Sequence, residues 1–143
     1  MGRLLPPWTA VRAETTAQGT DVAVWGRAYR FADSALPVSI TTAGEQILAG
    51  PMRCVGQVDG NRIDWLSPAP FKSSSGQVGD WQQHGSLLFQ HDNTEATLLG
   101  WQATGTLILS THVTVEYDGM VRVEVVVLPQ RRSQPRVEQL WLE

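Results

Sequence analysis

The chain has 143 residues, 42% of them hydrophobic and 17% charged, with a formal net charge of −3. That length holds about one domain with a single sizeable core. The charged share falls below the usual quarter, and thirteen glycines with eight prolines argue against a long helical bundle. Eleven basic residues stand against fourteen acidic ones, so the electrostatic footprint of a nucleic-acid binder is missing. Only Arg131-Arg132 approach a basic cluster. No stretch approaches the roughly 18–20 continuous apolar residues of a membrane-spanning helix. The opening Met1–Pro7 has no apolar core for a signal peptide, and Pro6 stands where a myristoylation motif wants Ser or Thr. The composition is that of a soluble all-β domain.

In chain order, Pro6-Pro7-Trp8 reads as an extended lead-in, followed by a candidate edge strand from Thr9 to Ala13. Asp21 to Phe31 (DVAVWGRAYRF) is rich in β-branched and aromatic residues and predicts one strand, with a bulge or close approach at Gly26. Leu36 to Ile40 predicts a short strand that Pro37 places at an edge or a strand start. Glu45 to Leu48 predicts another, ended by Gly50-Pro51. Met52–Val58 and Asn61–Leu66 flank Asp59-Gly60, the dipeptide of a type I′ hairpin. Cys54 lies in that first strand as a small buried residue, and a single cysteine excludes an internal disulfide and a thiolate metal cage.

Ser67 to Asp80 is a Pro/Ser/Gly-rich loop, the longest in the chain and the best candidate for an insertion or lid. Trp81–Gln90 and Glu95–Leu109 predict two or three strands with breaks near Asp92-Asn93, Gly100 and Gly105. The strongest local signal is Thr111 to Leu128. A two-residue Asp118-Gly119 turn would pair Val115 with Arg122. A three-residue loop, Tyr117-Asp118-Gly119, pairs Val115 with Val121 and Val113 with Val123, leaving one apolar and one polar face. Register follows the buried face, so the three-residue loop is expected. Val137 to Leu142 predicts a last strand, and the absence of a turn after it suggests a domain trimmed from a longer chain. Roughly nine to eleven short strands, with turns every 8–12 residues or so, predict an antiparallel β-sandwich without substantial helix over residues 1–143.

Few residues announce chemistry. No phosphate loop, nucleophile elbow or zinc helix is present, and nothing calls for a cofactor. His84 and His91 could meet Asp80 or Asp92 around a metal, but a turn at Asp92-Asn93 explains them as well, and no metal site is predicted. The six tryptophans say more. An indole face stacks on sugar rings and also fills cores. Trp25 and Trp65, inside strands, are expected in the core. Trp81 and Trp101, beside a loop and a glycine, are candidates for a glycan platform, with core or interdomain packing as the alternative.

Several motifs carry a resemblance. They are Pro7-Trp8 with Val11, the run VWGRAYRF from Val24 to Phe31, and Leu36-Pro37 with Ile40 and Gly44. To these add Ile47 to Pro51 and VEYDGMVRVEVVVLP from Val115 to Pro129. Together they resemble the N-terminal domain of glycoside hydrolase family 123 and related bacterial proteins. The resemblance implies a β-sandwich preceding a catalytic (β/α)₈ barrel in an exported parent, periplasmic or extracellular. In the family, that barrel removes terminal β-linked N-acetylgalactosamine with an adjacent Asp-Glu pair. A barrel needs about 250 residues. Neither it nor an Asp-Glu pair is in this chain, so the chain alone is not expected to be an enzyme. The expected role is an accessory domain that packs against the barrel or binds glycan, with a free-standing carbohydrate-binding module or an interaction domain in a cell-surface assembly as the alternatives. The motif residues to examine are Arg27 and Tyr29, then Glu116, Tyr117 and Asp118. A structural role, with arginine knitting strands and Asp-Gly making a turn, competes with ligand binding for each.

Overall fold

In a computed structural model, residues 4–32, 34–65, 84–103, 107–130 and 134–143 are described, with the backbone alone for 84–86. The protein is all-β, an antiparallel β-sandwich built from three sheets. Twelve strands are found among the described residues. In chain order they are β1 (Arg12–Thr16), β2 (Gly19–Val24), β3 (Arg27–Phe31), β4 (Pro37–Thr42), β5 (Glu45–Gln46) and β6 (Cys54–Val58). There follow β7 (Asn61–Asp64), β8 (His84–His91), β9 (Glu95–Ala103), β10 (Leu107–Glu116), β11 (Val121–Pro129) and β12 (Val137–Leu142). Among these residues no helix is long and apolar enough to cross a membrane.

Strands β1 to β5 form one sheet in sequence order, β11-β10-β9-β8 a second, and β12-β6-β7 a third. Strand β10 shows why the second sheet is central. Leu107, Leu109, Thr111, Val113 and Val115 are all buried, while the residues between them are half-buried or exposed. The period-2 alternation of a strand thus sends one side chain in two into a core. Two cores share that inner face. At the end carrying the β10–β11 turn, Val113, Val115, Ala96 and Leu98 pack with Val22, Val24, Tyr29 and Phe31 of the five-stranded sheet. At the other end, Leu107 and Leu109 pack with Leu36, Cys54, Val58 and Trp65 under the three-stranded sheet.

Three hairpins show sequence chemistry setting register. Asp59 and Gly60 both have positive φ, 50° and 77°, between Val58 and its partner Asn61, the expected type I′ turn. In β10–β11, Val115 pairs with Val121, Val113 with Val123 and His112 with Glu124, the register of the three-residue loop, with Gly119 at φ 85°. The third hairpin corrects the reading of Asp21–Phe31 as one strand. β2 and β3 are two strands, Val24 pairs with Arg27, and Trp25-Gly26 is the turn between them. Of the two turn residues, only Gly26 has positive φ, 71°, which fits a type II turn better than type I′. Trp25 is consequently 48% exposed rather than core, because a turn residue has no sheet face to bury into. Trp65 is buried, as its strand position suggested.

Other boundaries shift. The first strand is Arg12–Thr16 instead of Thr9–Ala13, and β5 keeps only Glu45–Gln46. β9 runs straight through Gly100 instead of breaking there. That glycine marks a close approach between layers: a Cβ on it would sit 2.6 Å from the Ala35 nitrogen and 2.5 Å from Thr111 Oγ1. The expected break at Gly105 and the loop Ser67–Asp80 lie outside the described residues. β12 forms as Val137–Leu142 and pairs with β6.

Candidate functional site

Arg27, Tyr29, Tyr117 and Asp118, far apart in sequence, meet at one end of the sandwich. Gly119, in the β10–β11 turn, is where they converge. The buried Tyr29 hydroxyl donates to the Gly119 carbonyl at 2.8 Å, and Arg27 Nη1 donates to the same oxygen at 3.2 Å. Gly119 also donates its N–H to the Glu116 carbonyl at 2.9 Å. The Asp118 carboxylate accepts the Met120 N–H at 2.9 Å, an Asx turn that fixes the loop. A Cβ on Gly119 would lie 3.0 Å from Arg27 Nη1, so the glycine serves both the positive φ and the close approach.

Neighbouring turns tie into the same end. The Tyr117 N–H donates to the Thr94 carbonyl, and Val11 donates to the Asn93 carbonyl. Asp92 accepts from the Thr94 hydroxyl and from the Thr94 and Glu95 N–H groups, which holds its carboxyl below the ordinary value. The Trp8 ring stands edge-on between Trp25, at 5.4 Å and 77°, and Tyr117, at 5.7 Å and 81°. Trp8 and Trp25 also belong to this end, and the sequence offers little that marks them as site residues. A Trp-Gly pair between two alternating runs is the one signal that points to Trp25. What this arrangement does is fasten: a hydroxyl, a guanidinium and three aromatic rings tie the β2–β3 and β10–β11 hairpins and the N-terminal lead-in together, while the Asp118 carboxylate holds its own loop in shape.

Trp101 lies elsewhere. It is half-buried on β9, on the face of the four-stranded sheet that points away from both cores. Its cross-strand partner Ser110 is separated from Glu116, at the fastened end, by about 20 Å along β10 at the usual strand rise. The register maps this outer face row by row. Ala103, Ile108 and Leu128 align, then Gly85, Trp101, Ser110 and Val126, then Leu87, Leu99, His112 and Glu124, then Gln90, Thr97, Thr114 and Arg122. The face therefore grades from apolar to charged along the strands. Val126 is 51% exposed, Leu128 48% and Leu87 42%. At the charged end, Arg122 and His112 both reach the Glu124 carboxylate, and the Arg122 hydrogen bond leads in holding its carboxyl below the ordinary value.

Trp81 lies outside the described residues, and so does the side chain of His84. Among the described residues, no group of three His, Cys, Asp or Glu side chains gathers in a way that could hold a metal ion. Cys54 is buried, and that burial pushes its thiol up to about 11, away from the thiolate form that reacts. Compared with protein-family models and with curated proteins, the chain matches none.

Proposed function

We propose that this chain is a non-catalytic accessory β-sandwich domain of a glycoside-hydrolase-like protein. It packs against a catalytic (β/α)₈ barrel of the same parent chain through the apolar half of the outer face of its four-stranded sheet. One observation carries this reading. An antiparallel sheet with one face on the core normally turns polar residues outward. Here Leu128, Val126, Ile108, Trp101, Leu99 and Leu87 are gathered on the outward face instead. Leu87, Val126 and Leu128 are exposed and the three between them half-buried, and an apolar face left partly in water supports an interaction site. The motif resemblance to the family 123 N-terminal domain supports a barrel as the partner and, for the parent, release of β-linked N-acetylgalactosamine. That chemistry would reside in the barrel.

A second reading has its own observation. Trp101 is half-buried and flanked across the sheet by Gly85 and Ser110, both small, and an indole between small neighbours is the kind of residue on which a sugar ring stacks. His112 and Glu124 in the next row would supply polar contacts, as a carbohydrate-binding module requires. Amide NMR of the chain, titrated with glycans containing N-acetylgalactosamine, separates the two. The packing reading expects a dispersed spectrum that no glycan moves. Saturable shifts centred on Trp101, Ser110 and His112 would replace it with the module reading.

A further inference from the structure

We infer that the free edge of β11 is a self-association site, on which a second copy of this chain pairs antiparallel about a two-fold axis at Val123. Ladder parity decides which backbone groups face outward. Glu116 donates its N–H to the Met120 carbonyl, so Glu116 and Met120 form a hydrogen-bonded pair at the turn. Hydrogen-bonded and non-hydrogen-bonded pairs then alternate along an antiparallel ladder. Arg122, Glu124, Val126 and Leu128 therefore bond to β10, and Val121, Val123, Val125 and Val127 aim their N–H and C=O groups away from it. Among the described residues β11 pairs with β10 alone, at the end of the sheet order. Pro129 falls at the next outward position, where it has no N–H to offer, and so ends the available edge. An edge of four successive valines with outward backbone groups is a template for another strand.

The side chains choose both the occupant and the register. With the axis at Val123, Val121 pairs with Val125 of the second copy, and Val123 with its own copy. Arg122 then stands directly opposite Glu124 of the second copy, and Glu124 opposite its Arg122. The four charges alternate in sign around the axis. Met120 and Val126, both about half exposed in the single chain, come opposite one another. Moving the axis to Glu124 would set that carboxylate against itself in a close non-hydrogen-bonded pair. Moving it to Val125 would set Arg122 against Leu128 and Glu124 against Val126. Opposite charges directly across a ladder stabilise and like charges destabilise, so only the Val123 register satisfies the seam. A strand carrying Arg and Glu two residues apart on one face is complementary to itself, which points to a second copy rather than an unrelated strand.

Sedimentation velocity across a concentration series, from micromolar upward, tests this on the 143-residue chain. A concentration-dependent dimer is expected. Arg122→Glu, which sets Glu against Glu on both sides of the axis, should weaken self-association at least tenfold. Combining it with Glu124→Arg reverses both signs and should restore the dimer. Val126→Lys keeps both Arg122 and Glu124, sets a charge against the apolar Met120 of the second copy and should also give monomer, so the test does not depend on how Arg122→Glu folds. Amide spectra confirm that each variant keeps the fold. A wild type that stays monomeric, an open-ended series of larger species, or a double reversal that fails to dimerise would overturn the proposal.

Discussion

The two faces of the four-stranded sheet are made by the same strands and the same alternation, yet they differ in kind. On the inner face, Leu98, Leu109, Val113 and Val115 are fully buried, each against a side chain from another sheet. On the outer face, Val126 and Leu128 are as apolar but stand half in water. The inner residues are explained by the fold. The outer ones belong to neither core of the described residues. Apolar character outside both cores is what the proposed packing surface would need, so the account turns on whether the fold itself uses that face.

The sharpest way to break the comparison is to cut into the inner face. Leu109→Ala removes a fully buried side chain between β10 and the three-stranded sheet and should cost about 2–5 kcal/mol, read from urea unfolding. A smaller loss is expected at the fastened end. Tyr29→Phe deletes the buried hydroxyl bonded to Gly119 and leaves that carbonyl to Arg27 alone, for about 1 kcal/mol. If Tyr29 instead served a ligand and added nothing to the fastening, Tyr29→Phe would be as stable as the wild type.

At the opposite end, acid is the probe. Glu143 accepts from the Trp141 indole, Arg62 and Arg53, and these bonds hold its carboxyl down to about 2 against an ordinary 4.5. A carboxyl depressed on folding gives its full stabilisation above the ordinary value and loses it as pH falls toward the folded one. Melting temperature should therefore decline between about pH 4.5 and 2, and Glu143→Gln should flatten part of that decline. An unchanged acid slope in Glu143→Gln would show that the contacts joining β12 to β6 and β7 do not depend on this charge.

Much of this arrangement is legible in the amino-acid sequence. The Asp59-Gly60 turn, the three-residue loop at Gly119 and the last strand all depend on chemistry within a few residues, and each forms as the sequence indicates. The β2–β3 turn is harder to see because Trp25 looks like a core residue and apolar residues flank it on both sides. Seeing that Val24 and Arg27 face each other requires treating Gly26 as the turn's positive-φ residue rather than as a bulge. The motifs point to Arg27, Tyr29, Tyr117 and Asp118 as separate residues but not as a cluster. Tyr29 and Arg27 reach Gly119 across 90 and 92 residues of sequence, and local periodicity carries no information at that range. Nor can it show that one sheet face is divided between two cores, or that the apolar residues of the outer face align into rows.

The smallest expected effect is the most telling. Val126→Thr with Leu128→Thr keeps strand preference at Val126's position and replaces apolar surface by polar on the outward face. Urea unfolding of this double variant beside the wild type tests directly whether the fold has any use for that face. If the outer face is kept for a partner, the two stabilities should lie within about 0.5 kcal/mol of each other, as for surface positions away from any core. A loss of about 2 kcal/mol or more would contradict that, because the outer face would then belong to the domain's own core.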